Sequence, residues 1–168
     1  MTPLPASPGG GQLVAWRLDD ARFADSWDSG EGAWRVGGRW NRRGTRAVYC
    51  ALDPATAILE VAVHKGFRVL DTVPHVLTAM TVTDPAAVHA IAPEDVPNPN
   101  WLHPGIPSAG QQAFGDALLA RYRFVALPSV VSTHGWTLMF PGGSRDGYAP
   151  RSAERFALDT RLHPAAAG

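Results

Sequence analysis

The segment from Trp34 to Cys50 contains the residues best suited to chemistry, because it carries five arginines and no acidic residue. The arginines are Arg35, Arg39, Arg42, Arg43 and Arg46, and three glycines interrupt them, Gly37, Gly38 and Gly44. Guanidinium groups bind phosphate oxygens through paired hydrogen bonds, and glycines let backbone N–H groups approach an anion closely. The segment therefore predicts an anion-binding loop.

A tyrosine and a glutamate follow the arginines. Tyr49 lies in the apolar stretch 47–51, which predicts a strand, and Glu60 lies near the middle of a helical pattern that begins after Asp53-Pro54. Asp53 suits the N-cap, and Pro54 suits the first helical position because its missing N–H costs nothing there. The order of loop, strand and helix brings arginines, one tyrosine and one carboxylate within reach of each other.

The helix predicted after Asp53 ends at Gly66 and has apolar residues at helical spacing. The stripe expected to face the core comprises Ala55, Ile58, Leu59, Ala62 and Val63. Glu60 lies off the centre of this stripe, on the side of Thr56 and His64, so we expect it to border the core and face a cleft. The plainer alternative is a solvated surface pair between Glu60 and His64, four residues apart.

Composition excludes several classes of protein. With 168 residues, the chain predicts one domain with a real core, and 15 basic and 15 acidic residues cancel, so no overall charge attracts nucleic acid or membrane. The single Cys50 has no Cys or His companions at ligand spacing, which predicts a reducing compartment and no metal site. No signal-peptide pattern or long apolar run is present, so we expect a cytoplasmic protein without membrane contact.

The rest of the chain predicts short strands and a second helix. Strands are predicted over residues 12–18, 67–70, 75–82, 88–91, 124–132 (interrupted at Pro128) and 155–162, and the second helix over 109–121 with Ala113, Ala117 and Leu118 inward. Residues 1–11 predict a disordered segment, and residues 164–168 are expected to fray. The pattern predicts a single α+β domain of short strands with interspersed helices over residues 12–163.

Several short motifs, taken in order, resemble one known family. They are Trp16-Arg17, Gly38-Arg39-Trp40-Asn41 with Gly44, Val48-Tyr49, Leu59-Glu60, Trp101, Gly115-Asp116 and Leu127-Pro128-Ser129-Val130-Val131. Together they resemble the RES domain, the toxin half of bacterial Xre–RES toxin–antitoxin pairs. The resemblance extends from about Trp16 to Leu162.

The resemblance implies a fold related to bacterial ADP-ribosyltransferase toxins and an activity on NAD as substrate, with no metal. Members of the family break the bond between nicotinamide and ribose by hydrolysis or phosphorolysis, or pass ADP-ribose to a protein acceptor. Loss of NAD arrests growth. The implied partner is an Xre-type antitoxin, through which alone nucleic acid would be contacted.

Carried over by position, Arg17 and Arg39 match the two arginines of the family, Tyr49 its tyrosine, Glu60 its glutamate and Ser129 its serine. Cleavage of an N-glycosidic bond passes through an oxocarbenium-like state, which a carboxylate such as Glu60 stabilises. Arg39 and Arg17 would hold the pyrophosphate, Tyr49 would stack on nicotinamide, and Ser129 would donate a hydrogen bond to nicotinamide or ribose.

One stretch departs from the family pattern. Residues 134–141 read His-Gly-Trp-Thr-Leu-Met-Phe-Pro, so that Trp136 and Phe140 stand where the family usually has amides. This leaves open how that wall of the pocket binds substrate and which acceptor reaches the ribose. Two other functions stay open as well: a catalytically weakened binding module, perhaps for nucleic acid through the arginine loop, and a protein that only docks a partner.

Overall fold

Seven strands form one sheet in the structure, a computed structural model that describes residues 12–103, 105, 107–132, 134–159 and 161. The strands are β1 (Leu13–Asp20), β2 (Ala47–Ala51), β3 (His75–Val82), β4 (Val88–Ala90), β5 (Phe124–Pro128), β6 (Trp136–Pro141) and β7 (Tyr148–Phe156). Their order is β4-β5-β6-β2-β1-β3-β7, and β4–β5 is the parallel pair among otherwise antiparallel neighbours. Together with the helices, this sheet confirms the predicted α+β class.

Four α-helices accompany the sheet in the described residues. They are α1 (Glu31–Val36), α2 (Pro54–Lys65), α3 (Phe67–Thr72) and α4 (Ala109–Arg121), with 3₁₀ turns over Ala21–Ser26, Pro85–Ala87 and Pro93–Asp95. The start of α2 is as predicted, because the Asp53 side chain accepts a 2.7 Å hydrogen bond from the Thr56 N–H. Its end at Gly66 is also confirmed. None of these helices has the length and apolar content needed to cross a membrane.

Side chains alternate along β2, so the two faces of the sheet carry different clusters. Val48 and Cys50 pack on one face with Phe140, whereas Ala47 and Tyr49 pack on the other face, beneath α4. Helix α2 covers a third cluster at the β1 end of this second face, around Ala51. The second face is therefore the one on which Tyr49 and the α2 helix meet.

Two seams flank β1, and they differ in length. β1 pairs with β3 over eight residues, from Leu13 with Val82 to Asp20 with His75. β1 pairs with β2 at one position, Trp16 with Ala51. Beyond that position the two strands separate, which leaves backbone carbonyls of β2 open to side chains.

The orientation of α2 differs from the prediction. Three residues of the stripe expected to face inward are exposed, namely Ala55, Leu59 and Val63. Of the predicted stripe, Ala62 is buried and Ile58 is half-buried, and the helix also buries Thr56 and Ala57. The inward face of α2 therefore consists mainly of small residues, and Leu59 and Val63 lie outside it.

Helix α4 shows the same effect. Of the three residues predicted to face inward, Leu118 is buried, Ala113 is half-buried and Ala117 is exposed. The helix turns Gly115 inward, since a Cβ there would lie 1.8 Å from the carbonyl oxygen of Trp40.

Several element predictions are corrected by the structure. Residues 67–70 belong to α3 and not to a strand, and residues 136–141 form β6, which had no predicted counterpart. The strand predicted over 124–132 ends at Pro128, and the last strand spans Tyr148–Phe156 rather than 155–162. The segments predicted to be disordered or frayed, 1–11 and 164–168, lie outside the described residues.

Candidate active site

Ser129 and Glu60 form a direct hydrogen bond between the end of β5 and the middle of α2. Ser129 is 1% exposed, and its Oγ donates to Glu60 Oε1 at 3.2 Å. The Ser129 Oγ also accepts hydrogen bonds from the backbone N–H groups of Val131 at 3.3 Å and Ser132 at 3.2 Å. The hydroxyl proton is therefore used to hold the carboxylate, and the backbone fixes the hydroxyl.

The Glu60 carboxylate is held in a partly desolvated position. Its side chain is 27% exposed, and Oε2 lies 3.7 Å from Nε2 of the more exposed His64. Burial raises the pKa of the Glu60 carboxyl, against the Ser129 hydrogen bond and the charges of His64 and Arg39, which lower it. Glu60 is thus a carboxylate at the edge of the core, as expected, and not merely one half of a solvated surface pair.

Tyr49 is fixed through its hydroxyl group. The phenol oxygen donates to Asn41 Oδ1 at 2.6 Å and accepts from the Trp40 N–H at 3.2 Å. Burial raises the pKa of the Tyr49 phenol, although the Trp40 N–H and the Arg39 charge oppose that rise. The phenol therefore stays neutral at physiological pH, and its proton is committed to Asn41.

Arg39 is the arginine whose charge acts on both Glu60 and Tyr49. It is half-buried, and its Nη1 donates to the backbone carbonyl of Trp101 at 3.0 Å. Its positive charge lowers the pKa of both the Glu60 carboxyl and the Tyr49 phenol, so the three side chains share one electrostatic environment. The Arg39 charge therefore acts on the Glu60 carboxyl and on the Tyr49 phenol.

Arg17 contacts the backbone of β2 at the seam between β1 and β2, from the face of the sheet opposite the Tyr49 ring. Its Nη1 donates to the backbone carbonyl of Tyr49 at 2.8 Å, and its Nε donates to Asp19 Oδ2 at 2.7 Å. Because side chains alternate along β1, Arg17 leaves the strand on the face opposite Trp16, which pairs with Ala51. The structure therefore ties Arg17 to the backbone of Tyr49.

The other arginines of the segment have different partners. Arg35 bonds Glu31 and Arg42 bonds Asp116, each pair with an N–O distance of 2.6 Å. Arg46 donates to the Ser29 carbonyl at 3.2 Å and lies 5.3 Å above the Trp34 ring. Arg43 lines a shallow surface depression with Trp34, Arg35 and Gly44. The five arginines thus spread over several contacts instead of converging on one anion.

Two features of the site were not assigned from the sequence. Asn41 was part of the family motif but had no assigned role. It is fully buried and accepts a hydrogen bond from the Tyr49 hydroxyl. Gln112 on α4 donates to the Gly38 carbonyl at 2.8 Å. An asparagine next to glycines indicates a side chain that bonds the local backbone, so Asn41 could have been found from the sequence. Gln112 lies more than 70 positions from Gly38 along the chain, so no local pattern indicates their contact.

Trp136 and Phe140, the two aromatics at the departure from the family pattern, are buried core residues of β6. They pack with Val48 and Cys50 on the first face of the sheet. Met139 lies between the two aromatics in the sequence, and its side chain points to the other face of the sheet. There it packs with Tyr49. The two aromatics therefore lie on the face of the sheet opposite the Tyr49 ring.

Metal ligands and nucleophilic thiols do not accompany these residues in the described part of the chain. No group of three or more His, Cys, Asp or Glu side chains within it has an arrangement that could hold a metal ion. Burial raises the pKa of the Cys50 thiol to about 12, so this cysteine is a neutral core residue.

A solved structure shares the fold of this chain. The structure superposes on the crystal structure of the M. tuberculosis MbcT–MbcA toxin–antitoxin complex with a TM-score of 0.71 and 22% sequence identity, covering 88% of this chain and 85% of that chain. At this identity the likeness concerns the fold.

The family is defined by sequence. The RES domain family matches residues 14–159, so this chain belongs to the RES domain family. It is 43% identical over 54 residues to Toxin Res of Photorhabdus laumondii subsp. laumondii and 44% identical over 52 residues to Toxin Res of Pseudomonas putida. These matches span about a third of each relative, 35% and 33% of their lengths. The resemblance to the RES domain family that the sequence predicted is confirmed.

Proposed function

We propose that this protein is the toxin of a toxin–antitoxin system and that it cleaves the nicotinamide–ribose bond of NAD. The observation that carries the proposal is the half-buried Glu60 carboxylate, which Ser129 orients and which shares its surroundings with Arg39 and Tyr49. A carboxylate of this kind stabilises the positive charge that develops on ribose as the bond breaks. Nicotinamide leaves as a neutral molecule with the bonding electron pair, so no general acid is needed.

The remaining residues take supporting roles in the proposed reaction. Arg39 would bind the pyrophosphate of NAD, and its charge would help to keep Glu60 ionised. The Tyr49 ring would pack against nicotinamide, since its hydroxyl is already occupied. Arg17 stays a proposed phosphate ligand, and Ser129 is better suited to orienting Glu60 than to bonding substrate.

The acceptor of the ribose cation defines three forms of the reaction. Water would give ADP-ribose and a proton, inorganic phosphate would give ADP-ribose 1″-phosphate, and a protein side chain would give an ADP-ribosylated target. The exposed quarter of the Glu60 side chain, 27% of its surface, supports a small acceptor that enters from solvent. We therefore favour hydrolysis or phosphorolysis, with growth arrest through loss of cytoplasmic NAD.

Nicotinamide release tests this proposal. Purified protein is incubated with NAD, with and without phosphate, and the products are identified by mass spectrometry. Wild type should release nicotinamide, and Glu60→Gln should not, whereas the control Glu31→Gln, which changes an exposed carboxylate on α1, should behave as wild type. Equal release by wild type and Glu60→Gln would remove the hydrolytic and phosphorolytic forms. Labelled NAD with cell extract then tests transfer to a protein.

An antitoxin partner is part of the proposal. The matched M. tuberculosis structure is a toxin–antitoxin complex, which supports a partner that neutralises this chain as well. We propose a helical antitoxin of the Xre type, encoded in the neighbouring reading frame. Co-expression of that frame should restore growth and yield a complex that co-purifies; failure of both would reject this partner.

A further inference from the structure

Asn41 uses its side chain entirely inside the protein. The residue is fully buried, and its Nδ2 donates to the carbonyls of Ala33 at 3.1 Å, Arg42 at 2.9 Å and Thr45 at 3.1 Å. Its Oδ1 accepts a hydrogen bond from the Tyr49 hydroxyl at 2.6 Å. One amide thereby connects the end of α1, the arginine-rich segment and β2.

The backbone of Asn41 closes a turn around Arg39. The Gly38 N–H donates to the Asn41 carbonyl at 2.9 Å, and the Trp40 N–H donates to the Tyr49 oxygen at 3.2 Å. A Cβ at Gly38 would lie 2.6 Å from Asn41 Oδ1 and 2.8 Å from the Tyr49 oxygen, so a glycine is needed at that position. The backbone before Arg39 is therefore fixed to the main-chain carbonyl of Asn41, and the backbone after it to the Tyr49 phenol, which the Asn41 side chain holds.

Helix α4 holds this turn from its other side. Gln112 donates to the Gly38 carbonyl at 2.8 Å, and Asp116 accepts from the Arg42 N–H at 3.2 Å. Between them in the helix, Gly115 lets the helix backbone touch the Trp40 carbonyl. Residues spaced three and four apart on one helix face thus contact the turn that carries Arg39.

We propose that Asn41 and Gln112 are positioning residues, which fix the Arg39 guanidinium and the Tyr49 ring relative to the Glu60 carboxylate. This inference rests on the proposed function. Arg39 has a long side chain whose own hydrogen bond is to the Trp101 carbonyl, so its location depends on how firmly its backbone is held. A displacement of about 1 Å in a substrate-binding group lowers a rate by up to roughly a hundredfold.

Gln112→Glu is the sharper test, because Gln112 is half-buried and the change keeps the shape while removing the N–H donor. The new carboxylate repels the Gly38 carbonyl. We expect KM for NAD to rise roughly tenfold with kcat within about twofold of wild type, since Arg39 contributes to binding. In an Arg39→Ala background the same change should add no further increase, because the two substitutions act through one group.

Asn41→Ser gives a second measurement. It removes the contacts to the phenol and to the carbonyls, so both kcat and KM should worsen, by roughly ten- to a hundredfold in kcat/KM. Loss of stability is expected too, so activity is measured at a temperature where thermal denaturation shows the variant folded. Val82→Ala serves as the control, because it creates a buried defect at the β3 end of the sheet and should leave kcat/KM unchanged.

The outcomes separate this inference from the proposed function. Wild type that neither releases nicotinamide nor arrests growth rejects the function, and the positioning role falls with it. The positioning role alone is rejected if wild type is active and both variants, Gln112→Glu and Asn41→Ser, are folded and have the KM and kcat of wild type. A full tenfold effect of Gln112→Glu in the Arg39→Ala background also rejects it, since Gln112 would then act independently of Arg39.

Discussion

Carboxylates and arginines meet in two regions of this protein, with opposite results. On α1, Glu31 and Arg35 form a direct ion pair at 2.6 Å, with side chains 47% and 67% exposed. At the end of β5 and the middle of α2, Glu60 bonds the neutral Ser129 hydroxyl, while Arg39 bonds a backbone carbonyl nearby. The first pair cancels its charges in water, whereas the second region keeps a partly desolvated carboxylate and a cation in separate contacts.

The difference indicates what makes a charge useful for chemistry. Exposed pairs are screened by solvent and contribute little to either stability or reactivity. A partly buried carboxylate whose partner is neutral interacts strongly with any positive charge that forms beside it. The same residue types are therefore inert at α1 and suited to catalysis at Glu60.

The largest expected effect separates the two carboxylates. Glu60→Gln should lower nicotinamide release at least about a hundredfold, because it removes the negative charge that faces the ribose cation. Glu31→Gln should stay within about twofold of wild type. The measurement is steady-state release of nicotinamide from NAD, and equal losses in the two variants would remove the distinction between the regions.

The two arginines are compared in the same way. Arg39→Ala should raise KM for NAD roughly ten- to a hundredfold, since the guanidinium loses its contact with the pyrophosphate. Arg35→Ala should leave KM unchanged, because the Arg35 guanidinium forms an ion pair with Glu31. Initial rates over a range of NAD concentrations check this, and an equal rise in KM for Arg35→Ala would show that the outer arginines bind substrate.

The pH profile tests the environment of Glu60. Activity requires the carboxylate, so the rate should fall on acidification, with a midpoint above the ordinary value of 4.5 because burial raises the pKa of Glu60. The Ser129 hydrogen bond lowers that pKa, so Ser129→Ala should move the acid limb of kcat/KM to higher pH. A limb that stays in place or moves to lower pH would show that Ser129 does not act on Glu60.

Stability should change in the opposite direction from activity. Because the folded pKa of Glu60 lies above its unfolded value, ionised Glu60 destabilises the folded state at neutral pH, and this penalty disappears below the unfolded pKa. Glu60→Gln should therefore raise Tm at pH 7 to 8 relative to wild type, with the difference shrinking toward pH 4. Thermal denaturation monitored by circular dichroism at several pH values checks this, and a lower Tm at neutral pH would contradict it.

The smallest effect belongs to the ion pair on α1. Arg35→Gln should lower the free energy of unfolding by about 0.3–0.5 kcal/mol at low salt, the usual worth of an exposed pair four residues apart on a helix. At 1 M salt the effect should vanish. Urea denaturation at two salt concentrations measures it, and a loss above about 1 kcal/mol would mean that this pair is less solvated than its exposure indicates.

Local chemistry made part of the fold predictable. Asp53-Pro54 and Gly66 are direct signals of a helix start and end, and the strand with Tyr49 lies where its short apolar run predicted it. The same local rules misread residues 67–70, because Gly66 both ends α2 and begins α3, so a short stretch with three apolar residues looked like a strand. Strand β6 is buried along Trp136–Phe140 and lacks the alternation that identifies a half-exposed strand.

The candidate site depended on the resemblance to a family more than on periodicity. Glu60, Arg39 and Tyr49 were chosen because of that resemblance, whereas the predicted inward stripe on α2 would have placed Leu59 and Val63 in the core. The orientation of α2 is set by contacts from residues far along the chain, such as Ser129. Long-range contacts of this kind carry no signal in local sequence, which is also why Gln112 received no role.

Gly115 has a consequence for how this sequence can change over time. The carbonyl of Trp40 occupies the space into which any side chain at position 115 would project. Even alanine, the smallest replacement, would push α4 away from the turn that carries Arg39. We therefore expect no substitution to be tolerated at this position, although the residue has no proposed contact with substrate. Mutational scanning should therefore show Gly115 as intolerant as an active-site residue, for reasons of space alone.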